Sequence, residues 1–390
     1  MEKQRYLTKY IIEDIKEKMV FIGGARQVGK TTLALKLIAP FFKNYTYYNW
    51  DNRQDRRKII NGEIPGSAGL IIYDEIHKYK KWKNLIKGEY DKYRDKFKFL
   101  VTGSARLDIY RKGGDSLQGR YHYYRMHPFS MAEILNKNNK IRVLKELDID
   151  NKNYFNEFDI LEKFGGFPEV LFNQNERILR RWHNEKNERL FREDIRDLKL
   201  IKDIGNMKLL SDILPGRIGS LLSINSIRED LEVSHRAVSS WLDILELFYY
   251  HFRIYPYHKK KIRSIKKEPK LYLFDWSEVE EESARFENMI ASHLIKLTHF
   301  LNDYEGYKAE LFFLRNVDKR EVDFLVCIDD RPWFCVETKL SDEKVSDSLH
   351  YFINRLKIPF VYQVIKKKNI DKIVNGIRIV SADRFLCSLI

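Results

Sequence analysis

Eight residues, Gly24-Ala25-Arg26-Gln27-Val28-Gly29-Lys30-Thr31, constrain this chain more than any other stretch, because they spell G-x-x-x-x-G-K-[ST] between an apolar strand and a helix. Met19-Val20-Phe21-Ile22 supplies the strand. Helical spacing runs on from Thr32 to Ile38, and Pro40 marks where that helix should stop. A glycine-bearing loop in this context lets backbone N–H groups curl around phosphate oxygens at the positive end of a helix. Residues Gly24 to Thr32 are therefore the candidate nucleotide-binding set. Lys30 would reach the terminal phosphates and Thr31 would offer its hydroxyl to magnesium.

A second motif belongs with the first. Leu70-Ile71-Ile72-Tyr73-Asp74-Glu75 is a continuous apolar run ending in two acids, as expected of a strand buried on both faces of a parallel sheet. Asp74 is the candidate magnesium residue and Glu75 the candidate base that polarises the attacking water. Further apolar strands are expected at Tyr45–Trp50, Phe97–Thr102 and Tyr121–Met126, which makes the first part an α/β sheet. The fourth strand ends in Thr102-Gly103-Ser104. Thr102 or Ser104 is a candidate contact to the γ-phosphate or its attacking water; the alternative is a plain turn out of the strand.

Composition sets the outer bounds. A chain of 390 residues, 44% hydrophobic, has room for several folded domains rather than disorder. Its formal charge of +15 suits a polyanion such as nucleic acid, or simply a Lys-rich surface. Three cysteines, Cys327, Cys335 and Cys387, are too few for a disulfide framework and fit a reduced, cytoplasmic setting. No apolar run is long enough to span a bilayer, so no membrane partner is expected.

From Pro128 to about Gly205 the sequence turns helical and polar, with Gly165-Gly166-Phe167-Pro168 in the middle, and reads as a helical lid. Arg192, Asp194, Arg196 and Asp197 there read as a salt-bridged solvated face. Two helices are then expected, Leu222 to Val233 and Ser234 to Leu245, joined by a short turn. Val238, Trp241, Leu242 and Leu245 form the apolar face of the second; His235, Arg236, Ser239 and Ser240 point outward. The basic segment His258 to Lys267 has the length of a β wing. Arg236, Ser239, Lys259, Lys260, Lys261 and Arg263 are candidate nucleic-acid contacts, against the alternative of an inert packing domain.

The last part has a different chemistry. Phe286 to Leu294 is an amphipathic helix with Glu287 on its buried stripe, beside Ile290 and Leu294. Two alternating strands follow, Val322 to Cys327 and Trp333 to Lys339. Their period of two sets Asp323 on one face of its strand, and Glu337 with Lys339 together on one face of theirs. If the hairpin aligns those faces, Asp323 and Glu337 make a hard-oxygen metal site beside an ammonium group.

Taken together, Gly24 to Thr32, Tyr73-Asp74-Glu75-Ile76, Thr102-Gly103-Ser104, Leu117-Gln118-Gly119-Arg120 and His127-Pro128-Phe129-Ser130-Met131-Ala132-Glu133 resemble the prokaryotic AAA+ ATPases with a C-terminal domain of unknown function 4143. The likeness continues through Gly165 to Glu169, Lys270-Leu271-Tyr272-Leu273-Phe274-Asp275 and Glu321-Val322-Asp323-Phe324. It implies a P-loop core with parallel sheet order 5-1-4-3-2, a helical lid, a winged helix-turn-helix and a C-terminal α/β domain like restriction endonucleases of the PD-(D/E)xK type. The expected ranges are 1–135, 136–205, 206–268 and 269–390. ATP and magnesium are the implied cofactors and DNA the implied partner. In such nucleases the acids correspond to Asp323, Glu337 and Glu287, and the lysine to Lys339. An arginine supplied across a subunit boundary of a homo-oligomer is also implied. Arg120 is the first candidate and Arg106 the second, with an ordinary ion pair as the alternative for either. His77 departs from the family, whose members often carry Gln there.

Overall fold

The computed structural model describes residues 3–103, 117–195, 203–258, 267–341 and 344–390, without the side chains of residues 193 and 194. The chain divides into two compact units, residues 1–127 with 247–249, and residues 128–246 with 250–390.

The first unit is a five-stranded parallel sheet, β1 (Met19–Gly24), β2 (Tyr45–Asn49), β3 (Gly69–Asp74), β4 (Phe97–Thr102) and β5 (Tyr121–Met126), in the order β2-β3-β4-β1-β5. That is the expected order read from the other edge. β1 and β4 are buried along nearly their whole length because helices cover both faces, which is why they read as unbroken apolar runs. The strand order matters for the site: Ile22 and Asp74 are both paired with Thr102, so β4 sets the carboxyl ends of the loop-bearing and acid-bearing strands on either side of its own. β1 and β5 approach so closely at Gly24 that an added Cβ would lie 2.4 Å from the carbonyl oxygen of Met126. The helix after the loop opens at Lys30–Thr32, widens over Leu33–Ile38 and tightens around Pro40 in Ala39–Phe41.

The second unit holds an eight-stranded mixed sheet, ordered β12-β13-β11-β10-β9-β8-β6-β7. Its members are β6 (His251–Pro256), β7 (Lys270–Leu273), β8 (Ala309–Arg315), β9 (Glu321–Ile328), β10 (Arg331–Lys339), β11 (Phe360–Ile365), β12 (Asp371–Val374) and β13 (Ile377–Ser381). The strands flanking the basic segment, β6 and β7, pair with each other and continue into this sheet through β8.

The helix Glu282–Asp303 packs along this sheet, and the helices expected as a lid pack into the same unit. Trp276 Nε1 donates to Leu161 O at 3.0 Å, Trp182 Nε1 donates to Asp275 Oδ2 at 2.8 Å, and the rings of Phe158 and Phe286 lie 6.2 Å apart. Arg192 pairs with Glu188 at 2.6 Å, while Arg196, Asp197 and the side chain of Asp194 lie outside the described residues. The three cysteines are buried unpaired thiols, and burial pushes Cys327 up to about 12 and Cys387 up to about 11. Among the described residues no helix is long and apolar enough to cross a membrane.

Buried His293 ties two helices of this unit together: Nε2 accepts the N–H of Met131 at 3.1 Å and Nδ1 donates to Met289 O at 2.8 Å. Burial pushes its pKa down to about 4. The unfolded chain binds that proton near pH ~6.5, so the stabilisation is complete above that pH and is lost as pH falls toward 4, by up to about 3 kcal/mol. The melting temperature should therefore drop across this window, and His293→Gln should flatten the drop. Superimposable pH profiles for the two proteins would refute the assignment.

Candidate functional site

The loop expected to bind phosphate has the backbone that job requires. Gly24, Gln27 and Gly29 have φ of 147°, 59° and 101°, three left-handed positions of the kind by which a loop can curl its N–H groups around an anion. Val28 and Ala25 are buried beneath it. Lys30, only 8% exposed, donates from Nζ to the carbonyl oxygens of Gly24 at 3.0 Å and Ala25 at 2.7 Å. Its ammonium therefore stands over the loop.

Asp74 ends β3 beside this loop and is a buried hub. Its Oδ2 accepts from Thr31 Oγ1 at 2.8 Å and from the Tyr47 hydroxyl at 2.8 Å; its Oδ1 accepts from Thr102 Oγ1 at 2.6 Å. A threonine hydroxyl hydrogen-bonded to a carboxylate, with a lysine across the loop, is a donor set suited to a hard divalent cation and a triphosphate. Burial, then the charge of Asp74, pushes the Tyr47 phenol up, so it stays a proton donor to Asp74.

Glu75 follows in an uncommon left-handed conformation, φ 57°, with its N–H donated to Thr102 O at 2.9 Å. Such a backbone costs about 1–3 kcal/mol and concentrates at functional sites. Its carboxylate lies 3.3 Å from Lys78 Nζ and 3.6 Å from His77 Nε2, and Lys78 also reaches Asp51 at 2.6 Å. Ser104 and Arg106 lie outside the described residues. Arg120 holds Asp91 through two hydrogen bonds, 2.7 and 3.1 Å, which keeps the Asp91 carboxyl below its usual range.

In the second unit, antiparallel pairing of β9 with β10, Phe324 opposite Val336, brings Asp323 and Glu337 to neighbouring positions. Asp323 Oδ2 accepts from Thr338 N at 2.8 Å and Thr338 Oγ1 at 2.7 Å. Lys339 Nζ lies 2.8 Å from Glu337 Oε1, while buried Glu337 Oε2 has no hydrogen-bond partner. Lys270, on β7, sits among the acids, 2.6 Å from Glu321, 3.2 Å from Glu287 and 3.9 Å from Asp323. The Tyr272 hydroxyl donates to Glu287 at 2.6 Å. Burial first, then the charge of Asp323, pushes both Glu287 and Glu337 up to about 7. Burial opposes the charge on Lys270, but Glu287, Asp323 and Glu321 outweigh it and hold its pKa above the usual value. These carboxylates already have an internal cation. With two ammonium groups, Lys270 and Lys339, already paired with them, the donors here fit a divalent cation poorly.

Arg236 is exposed and Ser239 half-buried at the start of the helix His235–Leu247, whose Val238, Trp241, Leu242 and Leu245 are buried as expected. The preceding helix is Ile224–Asp230. Lys259, Lys260, Lys261 and Arg263 lie outside the described residues.

Sequence reasoning gave Tyr47, Lys78, Lys270 and Glu321 no site role. For Lys270 and Tyr272 a signal existed, two polar groups two residues apart on one strand face. For Tyr47 none did, because only the β2–β3 pairing, Asn49 beside Asp74, brings it to the acid.

Residues 16–135 match an AAA domain, residues 163–278 a domain of unknown function (DUF8612) and residues 282–385 a domain of unknown function (DUF4143). Two uncharacterised proteins of Methanocaldococcus jannaschii are similar. MJ1544 is 25% identical over 81% of this chain and 73% of its own length; MJ1637 is 26% identical over 66% of this chain and 61% of its own. Among solved structures, the Aeropyrum pernix Orc1 protein in complex with DNA superposes with a TM-score of 0.35 and 12% identity, over 76% of this chain and 94% of that one. A Thermotoga maritima RuvB variant gives 0.31 and 17%, over 63% and 87%. Superpositions that loose say nothing of what this chain binds.

Proposed function

This chain belongs to the AAA+ ATPases that carry a C-terminal DUF4143 domain, and from that premise we propose that it binds and hydrolyses ATP with magnesium in the first unit. The observation that carries the reading is the Thr31–Asp74 hydrogen bond, 2.8 Å, beside a loop with three left-handed residues and a buried lysine. Magnesium, when bound, would neutralise charge on the phosphate oxygens, and Thr31 and Asp74 are the residues that would hold it. The loop N–H groups of Ala25 to Thr32 receive the phosphates, and Lys30 leaves its carbonyl partners for the terminal phosphate. Thr102 fixes Asp74 from the far side. Glu75 takes the proton of the attacking water once it is freed from Lys78 and His77.

Coupling is the second element of the proposal. Nucleotide state would be relayed to a DNA-binding winged helix through Arg236, Ser239, Lys259, Lys260, Lys261 and Arg263, within a cytoplasmic homo-oligomer whose neighbour supplies Arg120 after it leaves Asp91. A second reading, favoured by Lys270 among the acids, makes the chain a slow ATP switch whose nuclease-like domain is an inert scaffold. ATP-licensed DNA cleavage at Asp323, Glu337, Glu287 and Lys339 is the remaining alternative.

Phosphate release measured with and without DNA tests the main reading. Wild type should turn over ATP in magnesium, and Lys30→Ala should lose at least about a hundredfold, the scale on which removing a charge-stabilising donor acts. Equal release by the two proteins, or none by either, would end it.

A further inference from the structure

Arg5 lies ahead of the matched AAA range and outside every motif described above, yet its side chain is buried against the phosphate loop. It is 6% exposed. Nη1 donates to Val28 O at 3.2 Å, and Nη2 donates to the carbonyl oxygen of His127, which follows β5. One planar guanidinium thus joins the back of the loop to the end of the strand beside it. Only arginine offers a rigid fork that can serve two carbonyls at fixed separation.

The consequence for the loop comes from counting its acceptors. Gly24 O and Ala25 O accept from Lys30 Nζ, Val28 O accepts from Arg5, and Gly29 O accepts from Leu33 N at 2.9 Å. A peptide whose carbonyl is held on one side presents the adjoining N–H on the other, because the peptide unit is planar. When Lys30 leaves for a phosphate, Gly24 O and Ala25 O lose its ammonium while the Arg5 bond to Val28 remains. The segment bearing Arg5 is itself fixed. Thr8 N donates to Arg5 O at 3.0 Å, and Leu7 and Ile11 are fully buried. The Tyr6 hydroxyl donates to Arg125 O at 2.7 Å, on β5 and not on the loop.

We propose that Arg5 is a positioning residue of the nucleotide site: it holds the Val28 peptide so that the loop N–H groups stand ready for a nucleoside triphosphate. The proposal rests on the nucleotide-binding reading of the loop. Arg5 touches no phosphate; it acts through the loop backbone, so its loss weakens binding rather than the chemical step.

The test compares wild type, Arg5→Met, Arg5→Lys and Tyr6→Phe as full-length proteins. A fluorescent ATP analogue gives the Kd, steady-state turnover gives kcat and KM, and thermal melting checks the fold. Arg5→Met should raise Kd and KM by about tenfold, the effect of losing a buried charge-assisted hydrogen bond, with kcat nearly kept. Arg5→Lys, which keeps the charge but not the fork, should fall between, and Tyr6→Phe should match wild type. Arg5→Lys serves as the deciding variant if Arg5→Met does not fold. Wild-type affinity in Arg5→Lys and in any folded Arg5→Met overturns the proposal alone, as does equal weakening by Tyr6→Phe, which would assign the effect to general packing. A folded wild type that binds no nucleotide sinks the underlying reading, and the proposal with it.

Discussion

Replacing Glu75 with Gln should leave ATP bound and lower steady-state turnover by about 10²–10⁴-fold, the range spanned by a positioned general base. The substitution keeps the size of the side chain and removes only its charge and basicity. Two features of the structure make the result informative. Glu75 holds a left-handed backbone, φ 57°, through the bond from its N–H to Thr102 O, so the side chain is aimed by strand β4 rather than by its own preference. Its carboxylate is also paired with Lys78 and His77, which keeps it from acting until the site rearranges. Gln keeps the aim and loses the chemistry. Bound nucleotide measured by filtration, alongside phosphate release, separates the two. Turnover in Glu75→Gln within a factor of about two of wild type would remove Glu75 as the base, because a base that matters cannot be neutralised so cheaply.

The largest stability effect is expected in the second unit. Lys296 and Glu133 form an ion pair with each partner only a few per cent exposed, and Lys296 Nζ also donates to Pro128 O at 3.0 Å. Glu133 in turn accepts the Ser130 N–H at 3.1 Å and closes the capping box of the short helix Met131–Ile134. Lys296→Met preserves the aliphatic stem and strands the carboxylate without its cation. Breaking a buried pair from one side costs about 3–5 kcal/mol, which for a unit of this size lowers the melting temperature by roughly 6–20 °C. Adding Glu133→Gln should restore much of the loss, since it removes the uncompensated charge. Equal melting of Lys296→Met and wild type would mean that the pair adds no net stability.

Where the sequence could be read, the information was local. The central strands β1, β3 and β4 were legible because they are buried on both faces, and unbroken apolar runs such as Leu70 to Tyr73 leave few other conformations open. The phosphate loop was legible because its function is carried by consecutive peptide units, and Asp74 and Glu75 because they end a recognisable strand. The apolar face of the helix His235–Leu247 followed from its period alone.

The rest depended on which surfaces meet. A helix pattern says which face is buried and not what covers it, so the helices of 128–195 gave no sign that they would pack with Trp276 and Phe286. Asp323 and Glu337 were spaced correctly in sequence, but only the pairing of β6 with β7 and of β6 with β8 put Lys270 among them. Residues in the chain alone thus determined the loop, its strand and its acids, because hydrogen bonding and periodicity over a few residues are fixed by covalent neighbours. Tertiary structure decided that Tyr47 and Thr102 would orient Asp74, that Arg5 would brace the loop, and that a lysine would sit in the second acid cluster, because those contacts join segments whose distance apart along the chain leaves no local trace.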